Sequence, residues 1–436
     1  MRRRVFLHGG SAAVAFALAG CGGGGGGGAG AGDETGAAAT GGNASAAGAR
    51  AGVAGDVSYP FGARLDRYVA GILPTSASAA EMDRTIGGSY DAWKAANLVQ
   101  ANQVASGGYA VKFGKSTTYL AVSEGMSYGM LITVLMAGHD PQARACFDGL
   151  LKVVRARPAW ATGYKALHEW RLGIDGSSKG EGWNAMDGDL DIAMALLMAD
   201  RQWGSSGTWN YKQEAIATIT ALKTYNMKSD GATKGLPNAN NNRTSDYMIG
   251  HFRAFKRATG DSFWDLAVDR AYALVDHMQK VYSPNCGLMP DFVINTHTSA
   301  PAPSNGFIGD GVDTEGYYYA NACRNPWRFG TDYVTSGDSR WKDVCSKLVK
   351  FIQTDAGGNP AAIAAGYHLD GSAMDRSYPP ESVIGPMLCG AMVSPDFQGF
   401  LNALWSWNAK NFTTDYYDSE LQLIPMIVAS GNWWNP

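Results

Sequence analysis

Apolar residues recur at helical spacing in twelve stretches: 79–104, 122–138, 142–156, 187–203, 211–226, 244–259, 262–283, 317–336, 339–356, 380–392, 394–409 and 414–430. Clean strand alternation is scarce. Some of these stretches, such as "DLDIAMALLMAD", are apolar nearly all round, whereas "DGLLKVVRARPAW" and "SKLVKFIQTDA" keep one wet face. Fully buried helices alternating with half-buried ones predict two concentric layers. A dozen helices in hairpins fit an all-α toroid of six inner and six outer helices, an (α/α)6 barrel; a helical solenoid is the rival. A solenoid would repeat its sequence at a fixed period, and no such repeat is evident.

The helical pattern lapses in two places. Residues 282–316, "YSPNCGLMPDFVINTHTSAPAPSNGFIGDGVDTEG", form a connection far longer than compact domains usually carry, with enough Phe, Ile, Leu and Met to pack down. The chain also opens on "MRRRVFLHGGSAAVAFALAGC", a basic start and a short apolar run ending in small residues, which reads as an export signal over residues 1–20. Its Arg3-Arg4 pair looks like a twin-arginine leader, and Leu18-Ala19-Gly20-Cys21 looks like a bacterial lipobox that would lipidate Cys21. Residues 21–56 are rich in Gly and Ala, cannot bury a core and are expected to be a tether. The globular domain is expected over 57–436. The expected location is the bacterial cell envelope, or outside the cell, with membrane contact only through the lipid anchor.

Setting aside the three arginines of the leader leaves 33 basic against 39 acidic residues, a balance that argues against nucleic acid as a partner. Five cysteines besides Cys21 are scattered without metal-ligand spacing, so no disulfide framework is expected, though one bridge is possible. A monomer without cofactor or metal is expected.

The acids at two helix starts are the candidate chemistry. In "TYLAVSEGMSYGM", Ser123 is a candidate N-cap, Glu124 falls in the first turn and Tyr128 one turn later. In "GWNAMDGDLDIAMALL", Asp187, Asp189 and Asp191 open one of the most apolar helices of the chain. Capping explains any one of these acids, but buried carboxylates are costly unless paired or used. An EF-hand is excluded because Ile192 and Met198 occupy its glycine and glutamate positions. His168-Glu169 lacks the second histidine of a zinc protease, and no GxSxG elbow occurs. What remains are carboxylates beside aromatics. With 13 tryptophans and 20 tyrosines in the chain, that combination is the minimum for binding a sugar and cleaving a glycosidic bond.

"VSEGMSYGM", "AMDGDLDIAMALLMADRQW", "NACRNPWRFGTDY" and "YYDSELQLIPMIVASGNWW" resemble, in order, segments of glycoside hydrolase family 8, inverting endoglycanases of β-1,4-linked glycans; the likeness runs from about Tyr59 to Trp434. Met186 departs from the Ser or Thr of the family signature. The resemblance implies Glu124 as general acid, Asp187 as the acid that stabilises the distorted sugar, Tyr247 as a positioner of the attacking water and Trp170 as a stacking platform. It also places Arg324, Asn321 and Tyr128 in the substrate site. Asn321 stands where one branch of the family has its catalytic aspartate, and an amide cannot accept a proton from water. The branch with asparagine there takes its base from the preceding loop, which implies Asp310, with Glu315 and then Asp313 as alternatives; Asp332, inside a helix, reads as structural. An inverting pair would stand roughly 6.5–9.5 Å apart. The implied substrate is β-glucan of the lichenan or cellulose type. Chitosan hydrolysis by the same family, or a non-catalytic carbohydrate-binding lipoprotein, is the alternative.

Overall fold

A computed structural model describes residues 57–235, 240–306 and 313–436. The expected leader and tether, with Cys21, and the expected base Asp310 lie outside the described residues. The first six helices are α1 (Ala79–Asn97), α2 (Ser123–Leu135), α3 (Ala143–Ala156), α4 (Met186–Trp203), α5 (Tyr211–Asn226) and α6 (Ile249–Thr259). Then follow α7 (Phe263–Val281), α8 (Asn325–Ser336), α9 (Ser339–Asp355), α10 (Glu381–Ala391), α11 (Gln398–Lys410) and α12 (Asp418–Ala429). The even-numbered helices touch in the order α2, α4, α6, α8, α10, α12, and α12 returns to α2. That closure rules out the solenoid. Each odd-numbered helix packs outside an even-numbered one, α1 on α12, α3 on α2, α5 on α4, α7 on α6, α9 on α8 and α11 on α10.

Layering follows apolar content. All but one residue of α2, and every residue of α12 except Asp418, is buried, because these helices face neighbours on every side. The outer α3 buries only the stripe containing Phe147, Leu150, Leu151 and Val154. Such close inner packing requires bare backbone at crossings. A Cβ on Gly330 of α8 would overlap the Cys389 carbonyl of α10, and one on Gly385 of α10 would overlap the Leu421 carbonyl of α12.

Three expected helices lose five or more residues at one end, each because a tertiary partner claims its backbone. Residues 98–104 leave α1 to form β1 (Leu98–Gln100), antiparallel to β2 (Tyr109–Val111). Residues 244–248 form a 3-10 turn and a bend, since the Thr244 N–H donates to the Asp291 carbonyl (3.0 Å) and its hydroxyl to the Pro290 carbonyl (2.7 Å). Residues 317–324 are withheld from α8 by the Asp291 carboxylate, which accepts the N–H groups of Tyr319 (3.1 Å), Asn321 (3.1 Å) and Ala322 (2.7 Å).

The two ends of the barrel differ. Connections entering the inner helices carry all seven short strands seen among the described residues. Besides β1 and β2 these are β3 (Tyr119–Val122), antiparallel to β4 (Arg171–Gly173), and a three-stranded sheet of β5 (Asn241–Arg243), β6 (Phe292–Ile294) and β7 (Ala302–Pro303). The long connection before α8 is thus partly a sheet. At the opposite end the turns are short, and residues 57–78 run across them: Phe61 bonds to Ala137 after α2, Ser58 to Gln202 at the end of α4, Val69 to Val334 of α8 and Ile72 to Met392 after α10. The five described cysteines are buried and unbridged. No described helix is long and apolar enough to cross a membrane.

Candidate active site

The N-terminal ends of α2, α4, α8 and α12 meet around one guanidinium. Glu124 lies in the first turn of α2 and Asp187 in the first turn of α4. Neither helix is capped as the sequence suggested: Val122, not Ser123, is the N-cap of α2, and no side chain caps α2 or α4. Ser123 is instead the surface on which α4 rests. A Cβ on Gly188 would come within 2.6 Å of the Ser123 Oγ, so the glycine between Asp187 and Asp189 lets the two helix starts close up. Gly125 does the same for α12, since a Cβ there would lie 2.6 Å from the Tyr416 ring.

Arg324, buried before α8, joins the acids. Its Nη1 donates to Glu124 Oε1, to Asp187 Oδ2 (3.0 Å) and to the Tyr128 hydroxyl (3.3 Å). Arg243, at the end of β5, reaches the other Asp187 oxygen at 2.8 Å and Asp246 at 3.2 Å. Asp187 thus faces two guanidiniums and Glu124 one. Tyr416 donates its hydroxyl to Glu124 Oε2 (3.3 Å), and Tyr417 donates to the Ala320 carbonyl. Tyr417 takes φ +71°, a left-handed conformation that side chains rarely adopt, and this turns two adjacent tyrosines onto the site.

The two carboxyls are pushed in opposite directions. Burial raises Glu124 to about 7, with Asp187 adding to the rise while Arg324 opposes it. Burial also raises Asp187, but the guanidiniums of Arg243 and Arg324 outweigh it and hold this carboxyl below its ordinary value. Near neutral pH the pair therefore offers one proton-bearing acid beside one carboxylate.

The other acids of the α4 turn are structural. Asp189 accepts the His168 N–H and the Asn184 amide, both at 2.8 Å. Asp191 pairs with Arg328 through both oxygens (2.8 and 2.6 Å) and with His251 (2.7 Å) inside the barrel. Asp332 pairs with Arg253.

Asn321 is fixed on both sides of its amide. Its Oδ1 accepts from Arg324 (2.8 Å) and Arg243 (3.5 Å), while its Nδ2 donates to Asp291 (3.3 Å). Tyr247 is buried, with its hydroxyl donated to Asn242 (2.5 Å). Trp170 differs from an open platform: it is 7% exposed, with the Arg171 guanidinium 4.2 Å over its ring, which leaves little surface for a sugar. Of the alternative bases, Glu315 is buried and accepts the Ser304 hydroxyl (2.5 Å), whereas Asp313 is exposed on an open groove with Ser304 and Tyr317. Sequence reasoning passed over Arg243, Tyr416 and Asp291. The tyrosine lay within a segment quoted for its likeness, but no spacing links Arg243 or Asp291 to Glu124, because strand pairing brings them together. Among the described residues no group of three His, Cys, Asp or Glu could hold a metal ion.

Residues 67–430 match the model of glycosyl hydrolases family 8. The chain is 35% identical to a beta-glucanase of Niallia circulans, over 84% of this chain and 89% of that protein. It is 37% identical to an endoglucanase of Bacillus sp. (strain KSM-330), over 84% and 80%. Its fold superposes on the apo structure of a beta-1,3-1,4-glucanase from Paenibacillus sp. X4 with a TM-score of 0.82 and 34% identity, over 87% of this chain and 99% of that one. With a closed double ring of helices and the paired acids of "SEG" and "DGD" at one end of it, the chain belongs to glycosyl hydrolases family 8 and is a glycoside hydrolase.

Proposed function

We propose that the chain is an endo-acting, inverting β-glucanase that hydrolyses lichenan-type and soluble cellulose-type glycans. The observation that carries this reading is the opposed pair: Glu124 bearing its proton near neutral pH, in contact through Arg324 with an Asp187 held ionised. Glu124 protonates the leaving oxygen as the glycosidic bond breaks. Asp187 faces the positive charge that grows on the sugar ring. Asp310 takes the proton of the attacking water; this assignment rests on the family resemblance and on Asn321 having no basic atom to offer. Asn321 instead orients both arginines.

A chitosanase of the same family is the alternative substrate reading. Product analysis on lichenan, carboxymethylcellulose, xylan and chitosan, with anomer detection by NMR, decides among them: the expected result is cleavage of the glucans with initial release of the α-anomer. Preferred cleavage of chitosan, or first release of the β-anomer, would overturn the substrate or the inversion respectively.

The chain is further proposed to be a monomeric lipoprotein anchored through Cys21. Residues 57–78 cross the end of the barrel opposite Glu124, so a tether entering there would leave the active site facing away from the membrane.

A further inference from the structure

Trp160 exposes 66% of its surface, unusual for a residue whose bulk is normally covered. It is nonetheless held in place. It opens a 3-10 turn (Trp160–Thr162), and the next N–H, that of Ala161, donates to the Gly182 carbonyl (3.0 Å). A Cβ on Gly182 would overlap Cε2 and Cδ2 of the indole and lie 2.6 Å from its Nε1. These atoms are at the middle of the fused ring, so bare backbone supports one face of the indole and leaves the other to solvent. Glu181 and Gly182 both take positive φ (54° and 74°), which turns the chain beneath the ring.

The position is continuous with the active site. Ser123, beside Glu124, donates its N–H to the Trp170 carbonyl (2.8 Å); Trp170 donates to Trp183 (2.9 Å); and Gly182 accepts from Ala161. Pro158, two residues before the indole, also bridges to His168, and Val122 pairs with Arg171, so the loop that carries Trp160 and the start of α2 pair with one stretch, residues 168–171, at the same end of the barrel. We infer that Trp160 is a sugar-stacking platform for a remote unit of the glycan chain, where an apolar pyranose face covers the open side of the indole.

This inference rests on the β-glucanase reading, and its test separates the two. For Trp160→Ala, the ratio of kcat/KM on lichenan to kcat/KM on an aryl β-cellobioside, which offers only two sugar units, is expected to fall roughly tenfold, mainly through KM. Trp160→Phe, which keeps a flat ring, should recover much of it. An unchanged ratio would overturn the platform, as would a loss that is equal on both substrates. Retardation of the protein in a native gel containing lichenan reads the platform without turnover: weaker retardation of Trp160→Ala supports it even if hydrolysis is absent, and equal retardation refutes it.

Discussion

Arg243 carries more of the site than its sequence position suggests. It touches Asp187, Asp246 and Asn321, and with Arg324 it keeps Asp187 charged in a buried place. Removing one partner of a buried ion pair leaves an uncompensated charge, worth about 3–5 kcal/mol. In Arg243→Gln the Asp187 carboxyl loses its nearer guanidinium and its pKa rises, so the acidic limb of the kcat/KM profile should move to higher pH. The basic limb, set in the wild type by Glu124 losing its proton as pH rises through about 7, should stay nearer its place. A fall in activity with both limbs fixed would show that Arg243 serves the fold alone. Asn321 was legible in the sequence as a residue that cannot be a base. Its role in orienting two arginines was not, because an amide held between Asp291 and Arg243 depends on partners 30 and 78 positions away.

The helices were the most legible elements, and the reason is physical. Inner helices such as α2 and α12 are apolar on nearly every side and outer ones such as α3 on a single stripe, so periodicity reports existence and, in most of the ring, layer; α6 is the exception, an inner helix that exposes Lys256 and Arg257. Ends were less legible wherever a carboxylate or a strand took over the backbone, as Asp291 does before α8 and β2 does after α1. Contacts between inner helices depend on glycines that periodicity does not register. Gly385 is the sharpest case, since its Cβ would meet the Leu421 backbone, which cannot rotate away as a side chain could. Gly385→Ala should therefore destabilise the domain by about 1–3 kcal/mol or more despite the gain in helix propensity, measured by denaturant unfolding. Equal or greater stability would mean that α10 and α12 are free to separate.

For the whole domain, the buried carboxyls set how stability depends on pH. Burial raises Asp189 to about 7, and Asp246 and Asp291 to about 6. A carboxyl with a raised folded pKa favours the folded state fully below its unfolded pKa, and that contribution is lost as pH rises through the folded value. His168, lowered by burial to about 4, and His251, also lowered by burial, act in the opposite sense, but the raised carboxyls outnumber them, since burial raises Glu124, Asp418 and Glu420 as well. The melting temperature should accordingly be higher near pH 5 than near pH 8, and Asp189→Asn, which keeps the shape without the charge, should flatten the decline. A melting temperature that climbs from pH 5 to pH 8 would contradict this. Chemistry at the mouth of the barrel then turns on whether Glu124 supplies the proton. The decisive comparison is Glu124→Gln on lichenan and on dinitrophenyl β-cellobioside, whose leaving group needs no proton. The polysaccharide rate should fall by about 10²–10⁴ while the aryl glycoside keeps much of its rate; equal losses on both substrates, or lichenan cleavage close to wild type, would show that another group is the acid.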